Sequence, residues 1–220
     1  MTDSVKTVLL TGFEPFNGAT VNPAWEAVRA LSGWQGDGFQ VVTRQLPCVF
    51  GLSTRLLLDA IEEHKPDVVI AVGQAGGRAE ISVERVAINV DDAPIPDNDG
   101  WQPADATIVS AGPAAYFATL PVKAIAHAIR ARGVAAGVSQ TAGTFVCNHV
   151  FYGLMHFTHG LPLAAGFIHV PFLPEQAAAQ AGAAQTPGMA LADIVAGLRA
   201  AVEVAVHGGA SAAHVGGATH

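Results

Sequence analysis

The chain has 220 residues, of which 50% are hydrophobic and 13% are charged, and its formal net charge is −7. This length is enough for one domain with a sizeable core, and the composition is that of a folded soluble protein and not of a disordered one. The 11 Lys and Arg residues form no cluster, which argues against nucleic acid as a partner. The apolar stretches are too short for a signal peptide or a membrane span. We therefore expect a cytoplasmic protein with no membrane partner.

The predicted strands and helices alternate along the chain. Asn22 and Pro23 are typical of a helix start, with Asn as the N-cap residue and Pro at the first helical position. In chain order the predicted elements are a strand over 5–11, a helix over 23–31, a strand over 39–45, a helix over 52–63, a strand over 67–72, an extended segment over 81–90, a helix over 121–132, a strand over 135–139, a helix over 148–157, a strand over 164–170 and a helix over 191–206.

This alternation predicts an α/β fold with a largely parallel sheet and helices on both of its faces. Residues 1–206 are predicted to form a single domain, and the Gly/Ala/His-rich tail over 207–220 is predicted to be flexible. The loops that follow strands, including those before Cys147 and around His169, are expected to gather at one edge of the sheet, where α/β proteins place their sites.

Cys147 is one of two cysteines and stands at the predicted start of a helix. The helix dipole and the unpaired N–H groups of the first turn favour a thiolate and could also bind an oxyanion formed beside the sulfur. This position predicts a nucleophile, although free cysteines commonly pack as small hydrophobes. Cys48, between apolar neighbours, is interpreted as a packing residue.

The base for such a thiol has to come from nine histidines. His149 lies two positions after Cys147 and would point about 200° around the helix axis, away from the thiol. His169 closes a predicted strand and precedes Pro171, so it stands where a site is expected. A buried structural histidine is the alternative interpretation of His169.

Glu84 is the candidate carboxylate that would orient this imidazole. It is predicted to share a strand face with Val86, Ile88 and Val90, and a carboxylate on an apolar face needs a partner. That partner could be the histidine or simply an arginine such as Arg78.

Seven motifs, in order along most of the chain, resemble those of pyroglutamyl peptidase type I, the pyrrolidone-carboxylate peptidase family. They are Thr-Gly-Phe-Glu-Pro-Phe at 11–16, Val-Asn-Pro-Ala-Trp-Glu at 21–26, Gly-Gln-Ala-Gly-Gly-Arg at 73–78, Glu-Arg-Val-Ala-Ile-Asn at 84–89, Ile-Pro-Asp-Asn at 95–98, Thr-Ala-Gly-Thr-Phe-Val-Cys-Asn-His at 141–149 and Gly-Phe-Ile-His-Val-Pro at 166–171.

The resemblance implies a three-layer α/β/α sandwich, usually a homotetramer, that needs no metal or cofactor. It implies a cysteine peptidase that removes N-terminal pyroglutamate (5-oxoproline) from peptides, with Glu84, Cys147 and His169 as the catalytic residues. The implied substrate pocket consists of Phe13, Phe16, Ile95, Phe145 and Val146, with Gln74 and Asn22 as polar contributors.

One departure from the family concerns Pro94, where members often carry arginine. Proline has neither a charge nor a backbone donor with which to assist an oxyanion. A non-catalytic binder of pyroglutamyl peptides is therefore the alternative function.

Two other kinds of site find little support in the sequence. A metal site from Cys48, Cys147 and His149 lacks a second ligand pair with suitable spacing. Nucleotide binding by the glycines of 73–77 lacks the phosphate-loop and dinucleotide spacings, so these glycines predict a tight turn.

Overall fold

The computed structural model describes residues 5–180 and 186–208. Within these residues strands and helices alternate as the sequence predicts. In chain order they are β1 (Lys6–Phe13), α1 (Pro23–Arg29), β2 (Gln35–Gly36), β3 (Phe39–Leu46), α2 (Leu52–His64), β4 (Val68–Gln74), β5 (Ile81–Glu84), β6 (Val86–Ile88), β7 (Ala115–Phe117), α3 (Val122–Ala131), β8 (Ala136–Ser139), α4 (Val146–Thr158), β9 (Ala164–Val170), α5 (Pro174–Ala178) and α6 (Leu191–His207).

Seven strands form the central sheet in the order β2-β3-β1-β4-β9-β5-β8. The pairs β1–β3, β1–β4 and β4–β9 are parallel. β5 runs antiparallel to β9, and β8 runs parallel to β5, so these two strands point the opposite way from β1, β3, β4 and β9. The short edge strand β2 is likewise antiparallel to β3. The loop that leads to Cys147 therefore leaves β8 in the reverse direction. It still meets the loop after β4, because Arg78 donates to the Thr141 carbonyl at 3.0 Å.

Helices cover both faces of the sheet, which makes the fold a three-layer α/β/α sandwich. Successive residues of a strand point to opposite faces, so Val8 and Leu10 lie in one core while Leu9 lies in the other. The first core includes residues of α1, α3 and α6, and the second includes residues of α2 and α4. Strands buried on both faces explain the near-continuous apolar runs in the sequence.

The predicted extended segment over 81–90 is interrupted at Arg85. β5 belongs to the central sheet, whereas β6 pairs with β7 in a separate two-stranded sheet. The prediction that Glu84 shares a strand face with Val86 and Ile88 is therefore wrong, because these residues belong to different sheets. Glu84 lies on the same face of β5 as Ser82, towards the core that contains α4.

The predicted flexible tail begins one residue too early, because His207 is the last residue of α6. Residues 209–220 of that tail lie outside the described part of the chain. None of the helices described is both long enough and apolar enough to cross a membrane.

Candidate active site

Cys147 is the second residue of α4 and lies against the end of β4. A Cβ atom added at Gly73 would lie 2.8 Å from the Cys147 Sγ, so the thiol occupies the space that any side chain at position 73 would take. The helix starts at Val146, and its N-cap residue, Phe145, makes no side-chain capping bond. The first backbone N–H groups of α4 therefore have no partner within the helix and no side-chain cap.

Strand pairing brings His169 beside this thiol. His169 of β9 is the register partner of Gly73 of β4, and neighbouring strands are about 4.8 Å apart. The imidazole is 3% exposed and packs on the Phe167 ring, with 4.8 Å between the ring centroids. Because Gly73 lies against the Cys147 thiol and is the register partner of His169, the predicted nucleophile and base lie on the two sides of this glycine.

Glu84 is fully buried and contacts both His169 and Arg78, the two partners that the sequence offered as alternatives. Its Oε1 atom lies 2.8 Å from His169 Nδ1 and 2.6 Å from Arg78 Nη1. Arg78 is itself held in place, since its other terminal nitrogen donates to the Thr141 carbonyl at 3.0 Å. Glu84, Cys147 and His169, predicted from separate parts of the sequence, are thus brought together, with Arg78 behind them.

The contact with Glu84 assigns the tautomer of His169. A carboxylate can only accept, so Nδ1 carries the proton and donates it to Glu84 Oε1. Nε2 is left as an acceptor, which is the form that a general base requires.

The surroundings of Cys147 and His169 favour neutral partners over an ion pair. Burial, and then the charge of Glu84, raise the pKa of Cys147 to about 12, although Arg78 lowers it. Burial also lowers the pKa of His169, against the opposing effect of its bond to Glu84. The helix N-terminus favours the thiolate by at most about 2 kcal/mol, whereas burying an unpaired charge costs several kcal/mol. Both shifts favour the neutral thiol and the neutral imidazole.

Aromatic rings surround the space beside this group. Phe145, just before Cys147, lies 6.0 Å from Phe16 and 5.4 Å from Phe50, measured between ring centroids. Phe13 is 2% exposed and packs on Phe167. Sequence reasoning missed Phe50, which no motif marks; its closeness to Phe145 arises only from tertiary packing.

The remaining predicted pocket residues differ in their surroundings. Val146 is fully buried in the core between the sheet and α4, whereas Ile95 is half-buried in the loop after β6. Gln74, the last residue of β4, is half-buried, and its Oε1 atom accepts from Gln176 Nε2 at 3.3 Å. Pro94, where the family often has arginine, is exposed.

Asn22, a predicted polar contributor to the pocket, bonds the local backbone with both ends of its amide. Its Oδ1 atom accepts from the Ala24 N–H at 3.0 Å, as the N-cap of α1, and its Nδ2 atom donates to the Glu14 carbonyl at 3.0 Å. The side chain is 2% exposed and serves to hold the loop between β1 and α1.

His149 has a different role from that of the base, as the helical spacing predicts. Its Nδ1 atom lies 2.7 Å from Asp91 Oδ2, and its Nε2 atom accepts from the Gly51 N–H at 3.0 Å. The second bond requires an unprotonated Nε2, so Nδ1–H donates to Asp91. This neutral histidine ties α4 to the start of α2 and to the loop that carries Ile95.

The described residues include no cluster of three or more His, Cys, Asp or Glu side chains that could hold a metal. Cys48 is 3% exposed, and burial, followed by the charge of Cys147, raises the pKa of its thiol. Cys48 therefore packs as a hydrophobe, in agreement with its interpretation from the sequence.

We expect the alkylation rate of Cys147 to rise about tenfold per pH unit from pH 7 to pH 9. A raised thiol pKa leaves only a small thiolate fraction in this range, and that fraction grows tenfold per unit. The measurement is iodoacetamide labelling of a Cys48→Ala variant followed by mass spectrometry. A rate that stays constant from about pH 6 would instead reveal a preformed thiolate–imidazolium pair.

We expect His149→Ala to lower the free energy of unfolding by about 3–5 kcal/mol, because the buried Asp91 carboxylate loses its partner. Urea denaturation monitored by circular dichroism measures this change. The matched control is His149→Asn, because the asparagine amide can still donate to Asp91. This variant should lose less free energy of unfolding than His149→Ala. Equal losses in the two variants would contradict this account of the contact.

Comparison with known proteins identifies the family. The family model described as pyroglutamyl peptidase matches residues 6–208. The pyrrolidone-carboxylate peptidase 1 of Ralstonia nicotianae is 60% identical over 97% of this chain and 99% of its own length. The pyrrolidone-carboxylate peptidase of an Enterobacter species is 58% identical over 98% of this chain and 100% of its own length.

Solved structures agree in both fold and sequence. The pyroglutamyl peptidase I of Bacillus amyloliquefaciens superposes with a TM-score of 0.88 at 48% identity, covering 92% of this chain and 95% of that one. A mutant pyrrolidone carboxyl peptidase of Pyrococcus furiosus gives a TM-score of 0.87 at 42% identity, covering 91% of this chain and 98% of that one. With the thiol, imidazole and carboxylate in place, the chain belongs to the pyroglutamyl peptidase family of cysteine peptidases.

Proposed function

We propose that this chain hydrolyses the bond after an N-terminal pyroglutamate, with Cys147 as nucleophile, His169 as general base and acid, and Glu84 as the residue that orients His169. The observation that carries the proposal is the position of the Cys147 Sγ against Gly73. Gly73 is the register partner of His169, and His169 is bonded to the buried Glu84. Family membership supplies the substrate class.

The first half of the reaction transfers the acyl group to sulfur. His169 Nε2 takes the thiol proton as the sulfur attacks the pyroglutamyl carbonyl carbon, which gives a tetrahedral oxyanion. The uncapped N–H groups at the start of α4 lie beside the sulfur and would donate to that oxyanion. His169 then gives its proton to the departing amine, and the peptide leaves a thioester on Cys147.

The second half returns the enzyme to its resting state. His169 takes a proton from water, the hydroxyl attacks the thioester, and Cys147 leaves as a thiol that recovers the proton. In both halves Glu84 stabilises the transient imidazolium by accepting from Nδ1–H. Arg78 shares the same carboxylate oxygen and limits how strongly Glu84 holds the proton on His169.

The chemistry of the pocket fits pyroglutamate, a small neutral lactam. The rings of Phe13, Phe16 and Phe145 offer apolar walls, and Gln74 is the half-buried amide nearest to Gly73 in sequence. A free glutamate or glutamine N-terminus would bring an unpaired ammonium group into this apolar space. That burial costs several kcal/mol, which accounts for selectivity.

We expect wild-type protein to release the amine from a pyroglutamyl-amide substrate, and Cys147→Ala to lose at least about a thousandfold in kcat/KM. The matched control is Cys48→Ala, which removes the other thiol and should retain activity. A folded wild-type protein that binds the amide without cleaving it would favour the non-catalytic binder instead.

We expect Gly73→Ala to lower kcat/KM by about a hundredfold, because the new methyl group displaces the thiol and misplacement by about 1 Å costs this much. Gly166→Ala is the matched control. Its added Cβ would also clash, but with Leu120 at 2.7 Å, away from the thiol. Both variants should lose stability in thermal unfolding. Equal losses of activity would show that the effect at Gly73 is a general loss of packing.

The assembly and the location of the protein are proposed from the family resemblance. We infer a homotetramer, to be tested by sedimentation equilibrium, and a cytoplasmic enzyme that acts on pyroglutamyl peptides. Residues 1–206 are proposed to act as one catalytic domain without a cofactor.

A further inference from the structure

A groove of about 760 Å³ opens beside the catalytic group and has no role in the mechanism above. Its walls are the segment from Phe16 to Val21, the end of β4, and the stretch around α5. Phe172 and Gln176 belong to that stretch. Cys147, Phe13 and Phe145 do not line the groove, whereas Phe16 and Gln74 of the predicted pyroglutamyl pocket do, so the groove extends away from that pocket.

The groove is nevertheless continuous with that pocket. Phe16 lines the groove and also packs against Phe145, the residue two before the nucleophile. Gln74 also lines the groove and directly follows Gly73, although its side chain points to the opposite face of β4 from the thiol. A substrate whose pyroglutamyl ring lies among the phenylalanines would therefore meet the groove at Phe16.

The two walls are held together before any substrate binds. Gln176 donates to the Val21 carbonyl at 3.0 Å and to Gln74 Oε1 at 3.3 Å, and its own oxygen accepts from the Leu173 N–H at 3.0 Å. These bonds connect α5, β4 and the loop before α1. Gly76 lets the Phe172 ring approach closely, since an added Cβ would lie 2.2 Å from that ring. A preformed groove of this kind binds with a small ordering cost.

We propose that this groove holds the residues that follow pyroglutamate in a peptide substrate, and that Glu175 favours a lysine or arginine among them. The inference rests on the proposed function. Glu175 is the charged residue among those that line the groove, and it is exposed at its edge. The apolar walls, formed in part by Phe16, Val21 and Phe172, suit the stems of long basic side chains.

The test compares peptides that differ only in charge beyond the scissile bond. The substrates are pyroglutamyl-Ala-Lys-Ala-amide, its Gln counterpart, and pyroglutamyl-aminomethylcoumarin, which has no peptide to place in the groove. The readout is the ratio of kcat/KM for the Lys and Gln peptides. A variant that only loses structure lowers kcat/KM for both peptides alike. The ratio of the two kcat/KM values on one enzyme therefore does not respond to such a loss.

At low salt we expect wild type to favour the Lys peptide by about fivefold, the size of an exposed ion pair. Glu175→Gln should bring this ratio close to one, and Glu175→Lys should invert it. The matched control is Glu63→Gln, which removes an exposed carboxylate from α2, outside the groove. Salt should lower the wild-type preference, because exposed charges are screened.

A second variant tests the groove itself. Ala19→Trp places a bulky ring at an exposed lining position and should lower kcat/KM for both tetrapeptides relative to the coumarin substrate. Ratios that do not change in the Glu175 and Ala19 variants would overturn the proposal. So would a changed oligomeric state of Ala19→Trp with unchanged ratios, since a second copy of the chain would then cover the groove. If wild type cleaves neither the coumarin substrate nor the peptides, the proposed function itself fails.

Discussion

The buried carboxylate of Glu84 is the constraint on which the rest of the site depends. A fully buried charge is tolerated only when it is paired, and here one oxygen accepts from both His169 and Arg78. The pairing fixes the tautomer of the histidine and gives the arginine its position behind the site. Its other oxygen, Oε2, is buried and has no hydrogen-bond partner among the described residues, so the bonds to His169 and Arg78 both use Oε1.

The proposed chemistry combines this carboxylate with a thiol that is not activated in advance. Desolvation raises the thiol pKa and lowers that of the imidazole, so charge separation is unfavourable until bond formation begins. Glu84 and the uncapped start of α4 then act on charges that exist only during the reaction. Because these interactions become stronger in the transition state than in the ground state, they lower the barrier.

Much of this arrangement follows from sequence patterns that are local. Apolar runs predict buried strands, and Asn22 with Pro23 marks the start of α1, where the N-cap bond is present. The pocket role of Asn22 comes from the family resemblance alone, whereas the structure shows its amide bonded to the Ala24 N–H and the Glu14 carbonyl. The direction of β5 and the break at Arg85 were not predictable, because strand pairing is decided by tertiary partners. The need for glycine at position 73 likewise arises from a side chain 74 positions later.

The order of strands in the sheet has a consequence for biosynthesis. β9 lies between β4 and β5, yet it is the last strand of this sheet to leave the ribosome. Until residue 170 is available, β5 and β8 have no strand that joins them to β4, and their pairing is limited to each other. His169 belongs to that same late strand. While residues 148–169 are being made, the nascent chain therefore carries its nucleophile without a base, and it acquires hydrolytic capacity only when the sheet closes.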